Sequence, residues 1–303
     1  MNNNNKVQNL SFTILGCGSS GGVPRLSDGW GLCDPNNIKN SRLRCSLLIT
    51  HETNSGKSWY LIDTSPDLRQ QLLNSKINYL DGVIFTHSHA DHMHGIDDLR
   101  MIFFKRRSRI PIWADKMTLQ RINQSFQYLV KQEPGTKYPP ILTSETITGN
   151  FKLIGNSGEI LVEPIKVKHG DIDALGFKID KMAYIPDISD FYQDSLSKLY
   201  NLDILIIDAL RRNPHPAHSH LENTLNWIAE LKPKKAILTN MHNDLDYETV
   251  KNDLFYSFPV LKNGGTILCD DYDLSYAPGI KKAIDEFIIS NDLKSEILFN
   301  KFV

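Results

Sequence analysis

The sequence predicts an α/β fold, and three observations carry that expectation. Short apolar, β-branched runs recur along the chain, and each ends in a histidine or an aspartate. Stretches with helical spacing lie between them. Neither an internal repeat of about 20–50 residues nor a Pro/Gly/Ser-rich linker divides the chain, so one domain is expected over residues 1–303. Residues 1–10, which include the asparagine run at 2–5, are expected to be a disordered lead-in, and 276–303 a C-terminal helical extension.

The strand runs are "SWYLID" ending at Asp63, "GVIFTH" at His87, "EPIKVKH" at His169, "MAYIPD" at Asp187, "LDILIID" at Asp208 and "KAILTNMH" at His242. Apolar runs of this length bounded by polar turns read as buried strands. Polar groups repeated where strands stop point to one shared rim, where α/β proteins place their sites. Among the helical stretches, "SPDLRQQLLNSK" is expected to open with Ser65 as N-cap and Pro66 at the first helical position. "HGIDDLRMIFFKR", "KMTLQRINQSFQYLV", "LENTLNWIAELK" and "GIKKAIDEFIIS" complete the set.

Composition narrows the class. Hydrophobic residues make up 41% and charged residues 23%, and 34 basic against 35 acidic side chains give a net charge of -1. That balance supplies no general field for attracting nucleic acid. No run approaches the roughly 20 apolar residues of a membrane span, and the N-terminus lacks the apolar stretch of a signal peptide. Cys17, Cys33, Cys45 and Cys269 are scattered without a C-x-x-C, as reduced thiols are. A cytoplasmic protein with no membrane contact is expected.

The densest chemistry is "THSHADHMHG", residues 86–95, which holds four of the ten histidines and an aspartate. In an extended chain His87 and His89 share one side, and a turn then aims Asp91 and His92 at a neighbouring position. That arrangement suits two metal ions about 3.5–4 Å apart.

This His-x-His-x-Asp-His run resembles the signature of the metallo-β-lactamase superfamily, and the resemblance extends to Asp63, His169, Asp187 and His242 in the expected order. It implies a four-layer αββα sandwich with the metal site at one edge of the two sheets. It implies further that His87, His89 and His169 hold one ion, that Asp91, His92 and His242 hold the other, and that Asp187 bridges them. Nitrogen and carboxylate donors without thiolate suit Zn, Mn or Fe. Asp63 is expected behind the ligands, accepting a hydrogen bond from a ligand imidazole. His94 is expected on a helix or the surface, and His51 facing solvent in the hairpin-like "THETNSGK".

"GCGSSGGVPRLSDGWGLCDPNN", "LIDTSPDLRQQLL" and "HPAHSHLENTL" resemble the phosphoribosyl cyclic phosphate phosphodiesterase branch, with coenzyme-PQQ biosynthesis protein B and tRNase Z as more distant relatives. The resemblance runs from about residue 12 to 275. Two departures stand out. The cysteine cluster that binds a structural zinc in that branch is reduced here to Cys33, so that zinc is expected to be absent. Asn240 stands where relatives carry a histidine, and His242, two positions on and on the same strand face, is expected to substitute for it. Gly16-x-Gly18-x-x-Gly21 matches a dinucleotide fingerprint, but Pro24 and loop residues follow where a helix is required. Two readings of these glycines remain, a backbone cradle for a substrate phosphate and a tight turn near the metal edge.

The resemblance implies metal-assisted hydrolysis of a small phosphodiester, cyclic ones included, with two divalent ions, Zn or Mn with Fe as a further option. Asp91 and His218 are the catalytic candidates. His218, in "RRNPHPAHSH", aligns with the histidine that assists at the phosphate in this branch, and His215 and His220 are its neighbours. Asp208 either orients His218 or caps its strand. Lys105 to Arg109 read as a solvated helix end, and Arg100 as a candidate substrate contact. The expected partner is a small phosphorylated molecule, and the superfamily implies a homodimer. A tRNase Z-like ribonuclease is one alternative, although the long Gly- and Lys-rich arm of those enzymes is not evident. A non-hydrolytic binder of the coenzyme-PQQ type is the other.

Overall fold

The computed structural model describes residues 8–132 and 134–257. Two mixed sheets lie face to face. The first runs in the order β1 (Gln8–Gly16), β2 (Ser46–Thr53), β3 (Gly56–Ile62), β4 (Gly82–Ile84), β5 (Ile110–Ala114), β6 (Leu142–Thr146). Its first three strands are antiparallel neighbours, and β3 through β6 pair in parallel. The second sheet contains β7 (Phe151–Gly155), β8 (Gly158–His169), β9 (Ile172–Ile179), β10 (Met182–Ile185), β11 (Asp190–Phe191), β12 (Ile204–Asp208) and β13 (Lys235–Thr239). Its spatial order is β11-β8-β9-β10-β12-β13, with β7 paired to β8. Helices α1 (Leu68–Asn74), α2 (Ala90–Met93), α3 (Leu99–Arg106), α4 (Lys116–Ser125) and α5 (Gln127–Val130) serve the first sheet. α6 (Gln193–Ser197) and α7 (Leu221–Leu231) serve the second, and α8 (Tyr247–Ser257) follows β13.

Strand alternation explains why the result has four layers. On β3, Tyr60 and Ile62 point into the space between the sheets, where they meet Phe177, Ile179, Tyr184 and Ile206. Leu61, between them in sequence, faces the other way and packs with Leu68, Leu72, Leu99, Ile102, Leu119 and Ile122 from the helices. On β12 the same alternation sends Ile206 inward and Leu205 and Ile207 outward against Leu199, Trp227 and Leu231. Strands that bury both faces need near-continuous apolar sequence, which is what the runs contain. This is the αββα sandwich implied by the resemblance.

Helix boundaries differ from the sequence expectation for local reasons. α1 starts at Leu68, because the Ser65 hydroxyl is spent on a preceding turn, accepting from the Asp67 backbone N–H (3.1 Å) and donating to Gln71 Oε1 (2.9 Å). The stretch after the histidines begins with a 3-10 turn at Ile96–Asp98 before α3. The stretch over 116–130 breaks at Phe126, whose φ of -134° is not helical. α7 runs as expected and ends at Lys232 in the left-handed region. Residues 8–10 of the expected lead-in already belong to β1. Residues 276–303, "GIKKAIDEFIIS" and Cys269 lie outside the described residues.

His51 does not face solvent. It is buried on β2, and its Nδ1 lies 2.8 Å from Ser157 Oγ at the β7–β8 turn, where burial pushes its pKa down. Strand β2 is buried from Ser46 to Ile49 and again at His51, so the residue that looked like a hairpin tip is an interior one.

The glycine loop is a packing device. A Cβ on Gly16 would lie 2.2 Å from the Arg44 carbonyl oxygen, and one on Gly18 would lie 2.9 Å from Arg42. The N–H groups of Gly18, Ser19 and Gly22 donate to Leu43, Met241 and Ser19 carbonyls, so they are committed to the protein rather than to an anion. The loop is tied to the end of β13 by Arg42, a buried guanidinium that donates to the carbonyls of Leu245 (2.6 Å) and His242 (3.1 Å) and to Asn40 Oδ1 (3.3 Å). Cys33 Sγ lies 3.8 Å from the same guanidinium. Among the described residues, Cys17, Cys33 and Cys45 form no disulfide.

Gly95 closes the histidine turn against the β3–α1 connection. Its N–H donates to the Thr64 carbonyl (2.9 Å), and a Cβ there would lie 2.0 Å from the Ser65 carbonyl oxygen. Gly95→Ala must therefore push two backbone segments apart, and a loss of about 1–3 kcal/mol is expected. A urea melt of the metal-free protein measures it, and an unchanged midpoint would contradict the packing described.

Candidate metal centre

β3, β4, β8, β10, β12 and β13 all run toward the same edge of the sandwich, so Asp63, His87, His169, Asp187, Asp208 and Asn240, at or just past their ends, converge there. Three overlapping groups have one donor atom each within 4.8 Å of one another: His87, His89 and His169; His87, His92 and Asp187; and His169, Asp187 and His218. His169 Nε2 lies 3.1 Å from His89 Nδ1. His92 Nε2 lies 2.8 Å from Asp187 Oδ2 and 3.4 Å from Asp91 Oδ2.

What turns these atoms inward is the set of bonds behind them. Asp63 adopts φ of +65°, a conformation that aspartate tolerates better than most residues, and is fully buried. Its Oδ1 accepts the Thr86 N–H (2.8 Å), and its Oδ2 accepts both the Thr86 hydroxyl (2.8 Å) and His92 Nδ1 (2.8 Å). The Thr86 hydroxyl is in turn 3.0 Å from His87 Nδ1. One carboxylate thus fixes two imidazoles, directly and through a hydroxyl, with each Nε2 facing the centre. His169 is fixed by Nδ1 donating to the Ala217 carbonyl (2.6 Å).

The inward atom His87 Nε2 is buried with no hydrogen-bond partner, and the buried His92 Nε2 and Asp187 Oδ2, 2.8 Å apart, have only each other. A buried polar atom without a partner costs on the order of 1–3 kcal/mol, so such a cluster calls for a ligand. The donors fit divalent cations. Burial pushes His87, His89 and His169 down, His169 to about 4, which keeps their rings neutral and their lone pairs free. Burial also opposes charge on His92, but Asp187, Asp91 and Asp63 outweigh it and raise its pKa well above the ordinary value. Negative charge concentrated to that degree is what a dication relieves.

Asp63→Ala removes the anchor of His92 and of the Thr86–His87 relay. Metal affinity is expected to fall by about 10–100-fold, the usual effect of losing a partner behind the ligands. A Zn2+ titration with a competing chelator measures it, and unchanged affinity would show that Asp63 has no orienting role.

His218 stands beside the centre. Its Nδ1 is 2.9 Å from Asp208 Oδ2, 3.4 Å from Asp187 Oδ1 and 3.1 Å from Asn240 Nδ2. Asp208 also accepts the Ile188 N–H (3.1 Å), so it orients His218 as well as securing the β10–β11 connection. Burial opposes the charged imidazole, but the bond from Asp208 outweighs it and raises the His218 pKa. Asp208 itself is pushed up to about 7 by burial, partly offset by His218. His215 packs its ring 5.1 Å from that of His218 and accepts the Ala217 N–H, and His220 precedes α7. His94 is exposed and meets Phe126 edge-on.

His242 is the correction. Its side chain, like that of Asp91, joins none of the three donor groups, but Asp91 still lies 3.4 Å from His92 Nε2, whereas His242 Nδ1 lies 3.6 Å from Asp244 Oδ1 and after burial the strongest influences on it are Arg25, Asp244 and Asp28. β13 ends at Thr239, and Asn240 has φ of +60°, so the strand alternation that would have kept residues 240 and 242 on one face stops before it reaches them. Asn240 is the residue that faces the centre, with Nδ2 3.2 Å from Asp187 Oδ1. Thr86 was missed from sequence, where a hydroxyl residue directly before the first histidine was the available signal, and Asn240 was read only as the position of a displaced ligand.

Of the basic run, Arg106 donates to the Leu80 and Asp81 carbonyls, and Lys105, Arg107 and Arg109 are exposed at the end of α3. Arg100 lines a surface cleft with Asp97, Tyr128, Thr136 and Tyr138. No helix among the described residues is long and apolar enough to cross a membrane.

Comparison with known proteins agrees with this geometry. Residues 58–241 match the family model described as the Beta-lactamase superfamily domain. The chain is 33% identical over 231 residues to an octanoyltransferase of Porphyromonas gingivalis, a match that spans 75% of this chain and 45% of that protein. It spans about half the length of the curated relatives it matches. A crystal structure of a new diphosphatase from the PhnP family superposes with a TM-score of 0.73 at 30% identity, covering 86% of this chain and 96% of that one. Zn(2+)-bound PqqB from Methylobacterium extorquens superposes with a TM-score of 0.66 at 18% identity, covering 87% and 98%, a likeness of fold. With its sandwich, its strand-end histidines and aspartates and these matches, the chain belongs to the β-lactamase superfamily, in the branch of the PhnP-family diphosphatase.

Proposed function

We propose that this protein is a metal-dependent phosphodiesterase acting on a small phosphorylated substrate, cyclic phosphodiesters included. The observation that supports the reading is the juxtaposition of the inward, buried donor atoms on His87, His92 and Asp187 with His218, held on Asp208 at their rim. His87, His89 and His169 would hold one divalent ion, Asp91 and His92 the other, and Asp187 both; the nitrogen and oxygen donors suit Zn, Mn or Fe. Bound ions of this kind supply a nucleophile from water at neutral pH and offset charge on the phosphate oxygens.

The chain's own residues do the rest. Asp63 and Thr86 hold His92 and His87 in place from behind. Asp208 holds His218 Nδ1, which leaves Nε2 to protonate the departing alkoxide as the P–O bond breaks. The raised pKa of His218 keeps that proton available near neutrality. The imidazole then recovers a proton from solvent.

The test is a hydrolysis screen of the metal-loaded protein against a phosphodiester, a phosphomonoester, a diphosphate ester and a lactone. Preferential turnover of the phosphodiester supports the reading, and turnover of none of the phosphates overturns it. The match to an octanoyltransferase favours one added arm, an octanoyl thioester, whose preferential hydrolysis would move the assignment to acyl chemistry.

A further inference from the structure

We propose that the two ion positions of this centre are unequal, one built for tight binding and the other left short of a side chain by Asn240. The inference rests on the reading of the site as a metal centre and concerns how that centre is filled. The first position is offered His87, His89, His169 and Asp187. The second is offered Asp91, His92 and the shared Asp187; the His218 imidazole lies beside Asp187, but its Nδ1 is held by Asp208 at 2.9 Å.

At the end of β13 the residue facing this second position is Asn240, and its contact there is of the wrong kind for a ligand. An ionised Asp187 carboxylate only accepts hydrogen bonds, so the group 3.2 Å from its Oδ1 must be the Asn240 NH2, which has donors and no free lone pair. That N–H also occupies one of the lone-pair directions through which Asp187 would bind a cation. His242, the remaining imidazole on this segment, is held away from the centre. Its backbone N–H donates to the Leu210 carbonyl and its own carbonyl accepts from the buried Arg42, so both sides of its peptide frame are fixed. Its ring faces Asp244. Swinging the ring into the centre would require the Arg42 tie to give way.

Structural and catalytic zinc sites ordinarily take three or four protein donors, and the second position has three only by sharing one. A partner lying merely behind a ligand is worth about 10–100-fold in affinity, so a missing ligating imidazole is worth at least that. The second ion is therefore expected to exchange readily and to be completed by groups from outside the chain, water or substrate oxygens.

The experiment is a Zn2+ titration of chelator-stripped protein against a chromophoric competitor, with elemental analysis of the same samples after dialysis. Expected are one retained ion per chain and a second that binds at least about 100-fold more weakly. His242→Ala should reproduce both steps. Asn240→His should bring the second step toward the first; a histidine tolerates the left-handed backbone at this position better than most residues, so the variant keeps a foldable loop. Two ions retained with equal affinity in the unmodified protein would overturn the proposal, as would loss of the second step in His242→Ala. If phosphodiester turnover is absent while the two unequal steps remain, the functional reading fails and this one stands.

Discussion

His87→Ala is expected to leave a folded protein that neither retains metal nor turns over any substrate. His87 is shared by two of the three donor groups, so its removal takes a ligand from the position built for tight binding and disturbs the imidazole cluster around it. The loss in affinity should exceed the roughly 100-fold reached by partners lying behind ligands. Stability moves differently from activity. In the metal-free protein His87 Nε2 is a buried atom with no partner, and the ring is held neutral against its ordinary pKa, so its removal relieves a desolvation cost while opening a small cavity. Metal-free melting should shift little. What should vanish is stabilisation by added ion, about 2.7 kcal/mol for a protein in 100-fold excess of ligand over Kd. Melting curves with and without Zn2+ test this. A variant that keeps its metal-dependent shift would remove His87 from the ligand set.

His218→Ala should lower turnover by about 10²–10⁴-fold while leaving metal content intact, the range expected for loss of a general acid. The loss should depend on the leaving group. A dialkyl phosphodiester, whose alkoxide needs a proton, should suffer most, and a bis-nitrophenyl ester, whose phenolate leaves unaided, least. The pH profile carries the sign. His218 works in its protonated form and its pKa is raised by Asp208, so activity should fall as pH rises through that elevated value. The alkaline limb should be missing from the variant. Equal losses on both esters with an unchanged profile would assign His218 to the metal rather than to the leaving group, an option its place beside His169 and Asp187 allows.

The α/β class, the strand ends and the core of the centre were legible in the sequence because they are local. Period-2 alternation fixes which side of β3 or β12 is buried, and six strand runs ending in polar groups mark one rim. The spacing of His87, His89, Asp91 and His92 is short enough that a strand and one turn determine where they point. His51 was misread for the complementary reason. A polar residue beside a turn signal looks exposed until the second sheet covers it.

What the chain order could not decide were the contacts that the tertiary fold makes between separate segments. Arg42 reaching the carbonyls of His242 and Leu245 holds the last segment, the left-handed backbone at Asn240 ends the strand alternation, and together they determine that an amide rather than an imidazole faces Asp187. Likewise, either role for Asp208 was open until the fold brought His218 back over it. By itself the sequence determined which donors exist and which strands carry them. Only the packing of two sheets face to face decided which of them meet, because a side chain's direction past the end of a strand is set by what it is packed against.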